Sequence, residues 1–278
     1  QNGELQGHAE GEDFASETQS PLFMQTDLLE YRGSLANLIK DERLPISILG
    51  LRDFFRGTFA FDAFSPHALR RCERGTPKSI GKSGEFLSAY FATMSAREQA
   101  QIVKDLAEIY PQLSDVVTFD LPGGEKELGM VERFIYEDPL TPIETLVHPN
   151  HINDGFLRTI AMLVELRSEH NFLLFDEIEN GINPESVDCL IKKLTASPQQ
   201  VLVTTHSPMI LNYLDDDLAR ENVVFLYKGP DGATRAKRFF DIPSISEKLD
   251  VMGPGEAFVD TNLVALTEEL NAAAVAGA

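Results

Sequence analysis

From Phe172 to Thr205 the chain reads strand, helix, strand with short links, which commits it to a parallel crossover in an α/β sheet. Phe172 to Phe175 are four apolar residues in a row, the pattern of a strand buried on both faces. The run stops on two carboxylates, Asp176 and Glu177. Pro184 suits the first position of a helix reaching to about Ala196, with Asn183 as its cap. Gln200 to Thr205, apolar and β-branched from Val201 on, forms the second strand and leads into His206. A right-handed crossover opens both strand ends on one edge of the sheet, so His206 is expected beside Asp176 and Glu177. The crevice beyond the carboxyl ends of such strands is where α/β sheets bind ligands. Paired acids there suit a hard cation and an activated water.

A third piece lies upstream. Asn153-Asp154-Gly155-Phe156-Leu157-Arg158 opens an amphipathic helix over about Gly155–Glu169. A helix start offers free N–H groups to an anion, and glycine lets the ligand come close. The simpler reading is that Asn153 or Asp154 caps the helix while Leu157, Ile160, Leu163 and Val164 face the core.

The preceding half is less regular. Leu35 through Phe55 recur at helical spacings, Thr58–Phe64 alternates like a strand, and 84–94 and 96–110 read as helices. Val116–Leu121 and Leu128–Tyr136 make a hairpin around Gly123-Gly124, after which Pro139, Pro142 and Pro149 mark a loop-rich passage. Beyond His206 come a short helix, Met209–Tyr213, and strands Val223–Tyr227 and Thr234–Phe239; the alanine-rich end reads as a fraying tail.

A net charge of −20 argues against a chain coated in nucleic acid. The one local exception is a basic patch, Arg70, Arg71, Arg74, Lys78 and Lys82, which reads as a solvated face or as a contact for phosphate or DNA. Cys72 and Cys189 have no metal or disulfide spacing, and no run is long enough to span a membrane; a reducing, cytoplasmic setting is the expectation.

In this order and spacing the three pieces resemble the ABC-type ATPases, closest to the RecF/SMC/OLD-like branch of AAA-type ATPases. By that resemblance F-L-L-F-D-E is the Walker B strand, with Asp176 assisting Mg²⁺ and Glu177 positioning the attacking water. T-T-H-S-P resembles the switch, with His206 sensing the γ-phosphate of ATP. I-N-D-G-F-L-R is similar to the signature motif, so Asn153, Asp154 and Gly155 would reach a partner's nucleotide across a homodimer. E-N-G-I-N-P-E holds the place of the D-loop, through Asn180 and Gly181. L-x-x-F-F-x-G, F-D and G-K-S-G-E-F-L, between Ser34 and Ser95, are reminiscent of the family's inserted helical region. The fold implied is α/β: an ABC-ATPase-like C-terminal lobe over 141–278 with parallel core strands and flanking helices, after a helical and β-hairpin region over 1–140.

The chain departs from the family pattern in three places. Asn153 replaces the signature serine, Ile178 stands where many relatives have proline, and there is no Walker A loop. Gly75–Ser83 ends in Gly-Lys-Ser, but it has five residues between the glycines where that loop has four, and no buried strand leads into it. Pro77 also removes an N–H the phosphates would use. The expectation is therefore the C-terminal part of an ATPase whose Walker A lobe lies elsewhere in the protein or on a separate chain. Such an assembly would serve a DNA-related or defence process through DNA or an effector protein. The competing reading is a non-catalytic scaffold that keeps the fold for dimerisation or partner binding.

Overall fold

The computed structural model describes residues 46–61, 64–135 and 142–276. The chain divides into two compact units, Gln1–Asp53 and Phe54–Ala278. Of the first, only the start of α1 (Ile46–Arg56) is among the described residues. The part of the expected helical stretch before Ile46, and the residues after Phe61 in the expected strand Thr58–Phe64 up to Ala63, lie outside them.

The sheet that carries the crossover has three parallel strands in the order β1–β6–β7. β1 is Thr58–Phe61; it pairs with β6 (Phe172–Phe175) in the register Thr58 to Phe172. Between them the chain forms α2 (Pro66–Leu69), β2 (Glu73–Arg74), α3 (Leu87–Thr93), α4 (Ala96–Ile109), β3 (Leu113–Asp120), β4 (Glu125–Phe134), β5 (Ile143–Val147) and α5 (Asp154–Glu165). β2, β3 and β5 all pair antiparallel with β4, a second sheet built on the hairpin expected around Gly123-Gly124. β5 falls in the stretch read as a proline-rich loop.

After β6 come α6 (Pro184–Thr195) and β7 (Gln200–Val203), parallel to β6 with Phe172 opposite Gln200, as the crossover requires. β6 differs from the expected strand in one respect. Leu173 and Phe175 are buried, but Phe172 and Leu174 are only half-buried. The face they share is less fully covered, and on β7 Leu202 is 47% exposed.

α5 is the centre of the larger hydrophobic core. Phe156, Leu157, Ile160, Ala161, Leu163 and Val164 are all fully buried, so the expected amphipathic helix is buried nearly all round, its polar Thr159 and Glu165 included. It ends at Glu165, short of the expected Glu169. α4 is started by a capping box, with the Ser95 hydroxyl accepting from the Glu98 N–H and the Glu98 carboxylate accepting from the Ser95 N–H. Asp105 on α4 ties three elements together. It accepts hydrogen bonds from Gln101 (3.1 Å), from Lys193 on α6 (3.0 Å) and from Arg167 just beyond α5.

The C-terminal part holds α7 (Pro208–Leu211), α8 (Asp216–Asn222), the hairpin β8 (Val224–Lys228) and β9 (Thr234–Arg238), α9 (Pro243–Leu249), α10 (Pro254–Val259) and α11 (Leu263–Ala276). A second core forms here around Phe239, Phe240, Ile245, Leu249, Leu266 and Leu270. The expected fraying tail is a helix to Ala276, because Leu266 and Leu270 anchor its first turns in that core.

Candidate functional site

β6 and β7 deliver Asp176, Glu177 and His206 to one edge of the parallel sheet. Glu177 has a φ of +47°, the only positive value at a non-glycine position among the described residues. Such backbone strain in a residue with a side chain concentrates at functional sites. The Glu177 carboxylate lies between two groups: His206 Nε2 is 3.7 Å from Oε1, and the Asn180 amide donates to Oε2 at 3.3 Å. The His206 backbone N–H donates to Glu179 Oε1 at 2.8 Å, and the other Glu179 oxygen is buried without a hydrogen-bond partner among the described residues. The His206 side chain is 86% exposed and Asp176 is also open to solvent, so this edge is accessible.

The start of α5 belongs to the same neighbourhood. Asn153 is the N-cap, its side-chain oxygen accepting from the Phe156 N–H at 2.7 Å, which is the simpler of its two sequence readings. A Cβ on Gly155 would fall 2.4 Å from the Gly181 carbonyl oxygen, so backbone meets backbone there. Arg158 reinforces the contact: Nη1 donates to the Asn180 carbonyl and Nε to the Phe64 carbonyl at 3.2 Å. A continuous path of contacts therefore runs from α5 through Asn180 and Gly181 to Glu177 and His206. Asn183 sits at the N-cap of α6, but makes no side-chain capping bond; Pro184 alone starts that helix.

Of the basic patch, Arg70 is tied into the fold. Arg70 donates to the carbonyls of Pro149 (2.9 Å) and Ile152 (2.6 Å) and to Asp154 Oδ1 (2.6 Å), clamping the approach to α5. Arg74 pairs with Glu125 at 3.0 Å, and Arg71 lies 3.9 Å from Glu73. Arg71, Arg74, Lys78 and Lys82 all remain exposed.

Two amides flanking the Gly-Lys of the Gly-Lys-Ser loop are already taken by carboxylates of the chain, and the Gly81 N–H donates to the Ser79 hydroxyl, which argues against a phosphate cradle. The Ile80 N–H donates to Glu165 (3.2 Å) and the Ser83 N–H to Glu85 (2.9 Å), while the Glu85 carboxyl lies 2.5 Å from where a Gly81 Cβ would be. Among the described residues no three His, Cys, Asp or Glu side chains are grouped to hold a metal ion. The exposed Asp176 carboxylate suits a cation that takes one carboxylate and completes its shell with water and phosphate, as Mg²⁺ does. A groove of about 490 Å³ between α7 and α10, lined by Met209, Met252 and Val259, includes none of these residues.

Sequence reading missed the residues that hold the site together: Thr204, Glu179, Arg70 and Arg158 in its bridging role. Thr204 looks like one more β-branched strand residue. Only its place directly after the apolar run, on the strand beside Asp176, could have marked it.

Residues 145–212, from within β5 to just past α7, match a family model described as "AAA domain, putative AbiEii toxin, Type IV TA system". This supports a nucleotide-binding ATPase domain over that stretch. No curated protein sequence matches the chain. Among solved structures, one described under ATP-driven dimerization and DNA-stimulated activation of SMC ATPases is 16% identical, with 56% of this chain and 96% of that chain covered and a TM-score of 0.31. An Smc head domain with a coiled coil and joint from Pyrococcus yayanosii is 14% identical, with 56% and 28% covered and a TM-score of 0.35. An SmcHead bound to the C-winged helix domain of ScpA is 18% identical, with 51% and 43% covered and a TM-score of 0.29. Among the described residues no helix is long and apolar enough to cross a membrane.

Proposed function

We propose that this chain supplies the Walker B, switch, D-loop and signature elements of an ATP-hydrolysing ABC-type ATPase. The phosphate-cradling loop would come from outside these 278 residues. The observation that carries the reading is the path of contacts joining Gly155, Gly181, Asn180, Glu177 and His206 along one sheet edge, inside the stretch that matches an AAA domain.

In this reading Asp176 would hold Mg²⁺, directly or through a water. The bound metal–nucleotide would supply the electrophilic γ-phosphate and neutralise charge on its oxygens. Glu177 accepts a hydrogen bond from the water that attacks in line, and orients it. Its φ of +47° breaks the strand conformation at this residue, and its carboxylate lies 3.7 Å from His206 Nε2. His206 faces the same crevice, within reach of Glu177, and donates toward the γ-phosphate. Asn153, Asp154 and Gly155, at a helix start locked by a buried α5, address the nucleotide of a second copy. Asn180 and Gly181 bridge the two regions, so that occupancy of one site is felt at the other.

The expected assembly is a homodimer around two nucleotides whose opening and closing acts on an attached partner, DNA or an effector protein. The description of the matched family names a putative toxin of a Type IV TA system. The exposed members of the basic patch, Lys78 and Lys82 with Arg71 and Arg74, are the part left for a phosphate backbone. The purified 278-residue chain is expected to show no ATP turnover above background. Turnover that persists in a contaminant-free preparation and disappears in K82A would show that the chain holds its own phosphate loop, against this proposal.

A further inference from the structure

Thr204 sits one residue past the end of β7 and is bonded to four consecutive residues of the neighbouring strand end. Its N–H donates to the Phe175 carbonyl (2.9 Å), and its carbonyl accepts from the Ile178 N–H (3.2 Å). Between these, its hydroxyl donates to Asp176 Oδ1 and accepts the Glu177 N–H at 2.9 Å. One side chain thus grips both acidic residues, using the single donor and one acceptor position of a hydroxyl. Glu177 needs such a grip, because its φ of +47° is a conformation a residue with a side chain leaves readily unless its surroundings impose it. The β-branch of threonine restricts its χ1 rotamers, which keeps the hydroxyl aimed.

We infer that Thr204 is a positioning residue that sets the orientation of Asp176 and Glu177 for the reaction. Its hydroxyl fixes the Asp176 carboxylate from one side and holds the Glu177 backbone in its turned conformation from the other. It touches neither the nucleotide nor the attacking water. This inference rests on the proposed ATPase site.

The experiment compares T204V, T204S and E177Q by two measurements. Amide hydrogen exchange at Glu177, read by NMR on the 278-residue chain, should quicken about tenfold or more in T204V, where the acceptor is gone. It should stay near wild type in T204S. In the assembly that includes the phosphate loop, T204V should lower kcat about a hundredfold, the cost of misplacing a catalytic group, with KM for ATP little changed. T204S should recover most of that loss. A T204V protein with wild-type kcat or unchanged exchange at Glu177, beside an inactive E177Q, overturns the role of Thr204 and leaves the site reading standing. Full turnover in E177Q brings down the site reading and the Thr204 assignment with it.

Discussion

Gly155 and Gly181 meet backbone to backbone: a Cβ at the first would lie 2.4 Å from the carbonyl oxygen of the second. The start of α5 and the loop after β6 are therefore one rigid piece, with Arg158 tying its far side. Gly155→Ala should force them apart at a cost of about 1–3 kcal/mol, the usual range for overpacking. Urea denaturation reads this directly, and a variant as stable as wild type would mean the contact is slack.

The carboxylate of Asp105 is a second such joint. Burial alone would push its pKa up, but hydrogen bonds from Lys193, Arg167 and Gln101 more than offset this and hold it below the ordinary carboxylate range. A carboxyl whose folded pKa is depressed stabilises the fold above its unfolded pKa of about 3.9, and that contribution is lost as pH falls through the lower, folded value. D105N should cost about 3 kcal/mol at pH 7, since it leaves the side chains of Arg167 and Lys193 without this charged partner. The gap between wild type and D105N in urea melts should close steadily below about pH 4.

Arg70 and the two exposed lysines should separate cleanly. R70A removes hydrogen bonds to Pro149, Ile152 and Asp154, and should lower the melting temperature by several degrees. K78E with K82E should leave stability within about 0.5 kcal/mol of wild type. If this surface meets DNA, the double variant weakens binding in low salt while folding normally. Unchanged DNA affinity would remove these two lysines from consideration.

The legible part of the chain was the part with strong local signals. The apolar runs at Phe172–Phe175 and Val201–Val203, the Pro184 helix start and the Asn153 cap gave the crossover and the start of α5 from neighbouring residues alone. What stayed hidden depended on distant pairing. Nothing around Thr58–Phe61 says that it lies parallel to β6, and β5 was masked by the flanking prolines and by side chains that mostly remain exposed. α11 has too few buried positions, chiefly Leu266 and Leu270, to show a helical stripe in its alanine-rich sequence. In the site, the acids and the histidine could be read because their residue types carry chemistry. Thr204 and Arg70 could not, since their importance lies in what they hydrogen-bond across the fold. Arg70 looked like surface charge, yet its side chain is only 19% exposed.

Light scattering of wild type and E177Q, in the assembly that supplies the phosphate loop and with and without Mg²⁺–ATP, tests the central claim most directly. Glutamine keeps the shape of Glu177 but cannot accept a proton or orient the water as a carboxylate does. E177Q is expected to lose at least about a hundredfold in turnover, and to accumulate as an ATP-dependent dimer where wild type cycles back to monomer. An E177Q protein that turns over ATP at the wild-type rate and forms no nucleotide-dependent dimer would contradict it.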